Sequence, residues 1–134
     1  MRGALSCGEA LRELTALPAS LQQLFLTYTQ LSGTVDLTSL PASLHRLDLS
    51  FNHFSGPSKL TALPAALQQF DLTGNELNGV VDLTALPASL QQLTLRFNKL
   101  NGAEDLATLP ASLQKLDLLG NRLTGARSVP RLLI

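Results

Sequence analysis

The chain has 134 residues, ten basic and ten acidic, so it is the length of one domain and its formal charge is zero. That balance excludes the basic excess of a nucleic-acid binder and any charge pull toward an anionic membrane. Hydrophobic residues make up 45% but aromatics only 4%, so the interior is expected to consist of aliphatic layers. Cys7 is the only cysteine, which leaves no internal disulfide. Residues 1–10 lack the roughly 7–15 apolar residues at the centre of a signal peptide, and no asparagine begins an N-x-S/T acceptor. These features favour an intracellular or organellar setting, and no run approaches the roughly 18 apolar residues of a membrane span.

Taken in order, residues 1–14 precede regular structure, and Leu11 and Leu14 fall on one face of a short helix that is expected to act as a partial N-terminal cap. A repeated unit then runs over residues 15–125, followed by an end segment at 126–134. Each unit begins with a stretch such as Leu83-Thr84-Ala85-Leu86-Pro87-Ala88-Ser89-Leu90. Its proline recurs at Pro18, Pro41, Pro64, Pro87 and Pro110, a constant interval of 23 residues. Proline fixes φ and lacks an N–H, so this stretch suits a tight turn or an extended piece and not a long helix. Asp36, Asp82 and Asp105 open the runs before it and are expected to cap short 3₁₀ or polyproline-like pieces, with Lys59 and Ser128 in the aspartate's place elsewhere.

Next comes a strand. In Leu90-Gln91-Gln92-Leu93-Thr94-Leu95-Arg96-Phe97-Asn98-Lys99-Leu100, Leu93 and Leu95 alternate with polar neighbours, the period of a strand with one buried face. The same pattern, LxxLxLxxNxL, ends at Phe54, Leu77 and Leu123, while the first copy carries Thr29 in place of asparagine. Asn52, Asn75, Asn98 and Asn121 thus form a structural ladder. An amide set between buried leucines needs partners, because an unpaired buried polar group costs roughly 1–3 kcal/mol, and backbone groups of adjacent turns are the expected ones. The unit closes on a small polar residue and a glycine (Gly33, Gly56, Gly79, Gly102, Gly125), a pair expected to form a turn of unusual φ.

LxxLxLxxNxL at a fixed period resembles the leucine-rich repeat family, over about residues 11–130. LPASLQQL is similar to the LPxLP units of bacterial effectors, and LSGTVDL and LNGVVDL look like the return segment of plant-type repeats. The 23-residue combination most resembles repeats of unicellular eukaryotes. The resemblance implies an α/β-class repeat solenoid, mostly strand and coil. It would be a curved horseshoe segment with a parallel concave sheet of about five strands and a thin convex side of 3₁₀ or extended turns. No unit can bury enough apolar surface alone, so the units must stack.

Catalysis needs a unique constellation, whereas the polar residues here fall in ladders. Ser20, Ser43, Ser89 and Ser112 share one position with Ala66, so none stands out as a nucleophile. His45 and His53 lie on different parts of one unit and read as surface residues, and Cys7 has no histidine near it in sequence. Asp48, Asp71 and Asp117 share a strand position and suggest paired acids, but Arg46 and Lys115 on the same face make a solvated charge mosaic the simpler reading. No phosphate-binding glycine motif is present. No catalytic residue, cofactor, metal or small-molecule substrate is therefore expected.

The concave sheet remains. Its outward residues are expected to be Gln23, Phe25, Thr27, Tyr28, Arg46, Asp48, Ser50, Gln69, Asp71, Thr73, Gln92, Thr94, Arg96, Lys115, Asp117 and Leu119. Of these Phe25, Thr27, Tyr28, Arg46, Asp48, Asp71, Thr94, Arg96, Lys115 and Asp117 are the candidate partner-binding residues. Phe51 and Phe97 share a position that fits either this face or the rim of the core. The resemblance implies a non-enzymatic protein-interaction module whose partner is a protein or a multi-subunit complex, with no nucleic acid and no membrane insertion. Two alternatives are a structural subunit held by its apolar ends, suggested by Leu132-Leu133-Ile134, and the recognition part of a longer effector or ligase chain.

Overall fold

A computed structural model describes residues 17–58, 60–103 and 108–124. The expected N-terminal cap with Cys7, the aspartate at 105, Lys59 and the apolar C-terminal segment lie outside the described residues.

Each turn starts at its proline, whose carbonyl accepts from the N–H three residues on: Leu44 to Pro41, Leu67 to Pro64, Leu90 to Pro87 and Leu113 to Pro110, all at 3.1 Å. The bend delivers the chain to a three-residue strand: β1 (Gln23–Phe25), β3 (Arg46–Asp48), β5 (Gln69–Asp71), β7 (Gln92–Thr94) and β9 (Lys115–Asp117). These pair in parallel in that order. Leu24 stands opposite Leu47, Leu47 opposite Phe70, Phe70 opposite Leu93 and Leu93 opposite Leu116, so the register equals the sequence period. The ladder outlasts the strands, for the N–H of Leu49 reaches Asp71 O at 2.9 Å and that of Phe51 reaches Thr73 O at 2.7 Å.

The chain then turns inward at the asparagine. Asn75 Nδ2 donates to the carbonyls of Leu72 at 3.0 Å and Leu49 at 3.1 Å, while its Oδ1 accepts from the N–H of Phe54 at 3.1 Å. One amide therefore ties together the strand ends of its own turn and the preceding turn, and the start of the preceding return segment. Asn52, Asn98 and Asn121 make the equivalent bonds. Thr29, in the first described turn, donates its hydroxyl to Leu26 O and to Asn52 Oδ1, both at 2.9 Å.

The return segments form a second parallel sheet, which the sequence reading did not anticipate: β2 (Ser32–Thr34), β4 (His53–Gly56), β6 (Glu76–Val80), β8 (Lys99–Ala103) and β10 (Arg122–Thr124). The expected glycine turn is instead strand of positive φ, 77° at Gly56 and 80° at Gly79. Register here does not follow the repeat. Ser55 stands opposite Glu76 and Asn78 opposite Lys99, a step of 21 residues, and Gly56 and Gly79 consequently meet the buried Leu77 and Leu100 of the next turn. A shift by two preserves the faces of both strands, whereas a shift by one would exchange them.

Between the sheets lies an aliphatic core. In one turn Leu90, Leu93, Leu95 and Leu100 are fully buried, Leu83 nearly so and Leu86 partly. Phe54 and Phe70 are buried among these leucines. A 3₁₀ turn occurs at Leu60–Ala62. Asp36 and Asp82 bend the chain differently: their Oδ1 atoms accept from the N–H and hydroxyl of Thr38 and Thr84. These bonds hold the Asp82 carboxyl below its ordinary value. The serine ladder ties neighbouring turns: Ser43 Oγ donates to Leu21 O at 2.6 Å, Ser89 Oγ to Leu67 O at 2.7 Å and Ser112 Oγ to Leu90 O at 2.7 Å.

Candidate interaction face

Strand alternation sends Phe25, Asp48, Asp71 and Thr94 outward at one position, and Arg46, Gln69, Gln92 and Lys115 outward two residues earlier. Together they border a depression of about 180 Å³ on the first sheet. Of the candidate partner-binding residues, Phe25, Arg46, Asp48, Asp71, Thr94 and Lys115 are brought together here. Phe25 is exposed and Thr27 half-buried.

Three expected outward residues are not available. Ser50 and Thr73 are buried, because the aspartate two residues before each one folds back over them. Asp48 Oδ1 accepts from Ser50 N at 2.9 Å and Ser50 Oγ at 2.6 Å, and Asp71 Oδ1 accepts from Thr73 N at 2.8 Å. Asp117 is only 1% exposed, because the half-buried Arg96 side chain lies against it with Nε 3.5 Å from Oδ2. Asp117 therefore serves as an internal counter-ion. His45 also departs from expectation: it is half-buried, with no hydrogen-bond partner on Nδ1. His53 is exposed, 3.6 Å from Glu76 on the second sheet.

The residues that follow these positions form a ladder whose geometry the sequence reading missed. Tyr28, Phe51 and Phe97 have φ of 56°, 55° and 56°, and Gly74 and Gly120, at the same repeat position, have 72° and 77°. Bulky residues rarely adopt this region, and it is disfavoured by about 1–2 kcal/mol. The bend turns the rings out of the core: Tyr28 is 70%, Phe97 55% and Phe51 43% exposed, which decides the rim-or-face question for Phe51 and Phe97. Tyr28 stacks on Phe51 with centroids 4.7 Å apart and planes 3° from parallel. The Phe51 ring in turn covers Gly74, where a Cβ would fall 2.7 Å from it. The signal lay in the 23-residue spacing of two glycines with three aromatics.

Among the described residues no group of three or more His, Cys, Asp or Glu side chains could hold a metal, and no helix is long and apolar enough to cross a membrane.

A family model for the leucine-rich repeat matches residues 43–63, the unit that carries β3, Asn52 and the start of β4. The chain is a leucine-rich repeat protein. Its solenoid is similar to the ectodomain of BIR2 from Arabidopsis thaliana, with 31% identity and a TM-score of 0.62 over 76% of this chain and 56% of that one. It is also similar to a chain in the structure of the Arabidopsis receptor kinase HAESA in complex with the peptide hormone IDA and the co-receptor SERK1. There the identity is 30% and the TM-score 0.55, over 78% of this chain and 18% of that one. The leucine-rich repeats described here thus span little more than half of the BIR2 chain. A comparison with curated proteins gave no match.

Proposed function

We propose that this leucine-rich repeat protein is a non-enzymatic interaction module that takes a protein partner on the outer face of its first sheet. The observation that carries the reading is the concentration of side-chain variety there. Phe25, Tyr28, Phe51 and Phe97 are each at least 43% exposed, on a face that also carries Arg46, Asp48, Asp71 and Lys115. Exposed aromatics and arginines are the residue types that anchor interfaces, and monomers seldom leave such clusters uncovered. At the positions just before its glycines the second sheet presents short polar side chains, Ser32, Ser55, Asn78 and Asn101, although Val80 beside Gly79 is also exposed. The HAESA structure holds a peptide hormone and a co-receptor, so a related solenoid engages peptide and protein partners. The single cysteine supports an intracellular or organellar compartment as part of this proposal.

The test is affinity capture with wild type, with Phe25→Ala/Arg46→Glu, and with a second-sheet control, Asn78→Ala/Asn101→Ala. The reading requires that a partner kept by the control be lost by the first-sheet variant. A partner retained by the first-sheet variant and lost by the control would move the interface to the other side of the molecule.

A further inference from the structure

Two sets of charged groups are neutralised within this solenoid: Arg96 Nε lies 3.5 Å from Asp117 Oδ2, and Glu76 lies 3.9 Å from Lys99 and 3.6 Å from His53. The depression on the first sheet is bordered by four charged groups that are not. Among the described residues Arg46 and Lys115 make no ion pair and no side-chain hydrogen bond, and Asp48 and Asp71 use only Oδ1, for the residues two positions on. Register sorts these four by sign. Arg46 and Lys115 stand in one row with Gln69 and Gln92 between them. Asp48 and Asp71 stand in the next row, two residues further along the strands and so about 6.6 Å away. The two aspartates are directly opposite each other on β3 and β5, a like-charge pair that destabilises a sheet and that a cation above it relieves.

We propose that this face binds an extended segment of the partner polypeptide that crosses the strands, with a basic residue over Asp48 and Asp71 and acidic residues over Arg46 and Lys115. The proposal rests on the reading of the first sheet as the interaction face and names the partner's charge pattern there. A purely basic segment would meet Arg46 and Lys115, and a purely acidic one Asp48 and Asp71, so the two rows together select a segment carrying both signs. Successive side chains of an extended chain point to opposite sides, about 3.3 Å apart along it. An acidic residue beside Arg46 is therefore followed at once by a residue on the aspartate side, which falls between β3 and β5. Arg46 and Lys115 are three strand spacings apart, about 14 Å, and four steps of extended chain cover about 13 Å. An even number of steps returns the side chain to the first side, so the pattern is acid-base-x-x-acid, or its reverse. A free amino acid is too short to reach both cations.

The experiment is an amide NMR titration of the whole chain with N-acetylated, C-amidated peptides. These are Glu-Lys-Ala-Ala-Glu, its rearrangement Lys-Ala-Glu-Ala-Glu, which puts every charge on one side, and the neutral Gln-Gln-Ala-Ala-Gln. The expected result is saturable shifts at Arg46, Asp48, Asp71 and Lys115 with the first, binding about threefold or more weaker with the second, and no saturation with the third. Asp71→Asn, which keeps an oxygen for the Thr73 N–H, should weaken the first peptide by a similar factor. A charge exchange separates recognition from a structural effect: Glu-Lys-Ala-Ala-Lys should bind Lys115→Glu better than it binds wild type. Equal binding of the first two peptides, saturation by the neutral one, or no saturation by the first would each overturn the proposal. So would shifts confined to other parts of the molecule, or a well-dispersed Lys115→Glu spectrum that keeps the wild-type preference. If a variant loses its folded spectrum, the comparison of peptides on wild type still decides. Because the peptides stand in for the partner, a failed titration removes this charge pattern and leaves the capture experiment standing, and a failed capture leaves the titration standing.

Discussion

The two sheets of this solenoid are built from the same repeat and obey different rules. In the first, each residue pairs with its copy 23 positions on, Gln69 with Gln92 for example, so each outward position forms a straight row whose members are free to differ. In the second, each residue pairs 21 positions on, Asn78 with Lys99 for example, so that glycines stand opposite the buried apolar residues of the next turn. The comparison teaches where the fold is constrained. The second sheet holds glycine at one position, where φ is positive, whereas the first tolerates Phe25, Asp48, Asp71 and Thr94 in a single row.

The largest expected effect comes from cutting the amide that joins the sheets. Asn75→Ala strands the Phe54 N–H and the carbonyls of Leu49 and Leu72, and should cost about 3–5 kcal/mol in urea unfolding. A loss under about 1 kcal/mol would mean that the sheets hold together without the ladder. Next is a contrast between glycines. Gly74→Ala drives a Cβ into the Phe51 ring at a φ of 72° and should cost about 2 kcal/mol. Gly79→Ala, at a φ of 80° with nothing within 4 Å, should cost about 1 kcal/mol from the backbone alone. Equal losses would remove the aromatic ladder as a structural constraint.

Ala66→Ser supplies the one hydroxyl missing from the serine ladder and should stabilise by about 0.5–1 kcal/mol, read as a higher urea midpoint. Phe25→Ser, on the tolerant face at 56% exposure, should change stability by less than about 0.5 kcal/mol. A larger loss would make Phe25 part of the scaffold. The smallest effect concerns Asp82, whose carboxyl is lowered by its bonds to the Thr84 hydroxyl and N–H. A lowered folded value stabilises the native state above the ordinary carboxylate range, and that contribution is lost as pH falls through the lowered value. An NMR pH titration should place Asp82 below 3.8, the ordinary value, and Thr84→Ala should bring it back up.

By itself the sequence determined the solenoid, the parallel first sheet and the leucines that fill it. One strand per 23-residue unit, paired with its own copy, leaves no choice of register, and alternation then decides which side of Leu93 or Leu116 is buried. Spacing and alternation did not determine how strands beyond the asparagine slide past one another. The 21-residue offset, which sets Gly56 and Gly79 opposite Leu77 and Leu100, is decided only in the tertiary structure. Alternation was also silent where φ turns positive, so only the tertiary structure decided that Phe51 and Phe97 leave the core. Asp117 was indistinguishable in pattern from Asp71, and what separates them is a neighbour 21 residues earlier: Arg96 covers one, and Ser50 is too short to cover the other.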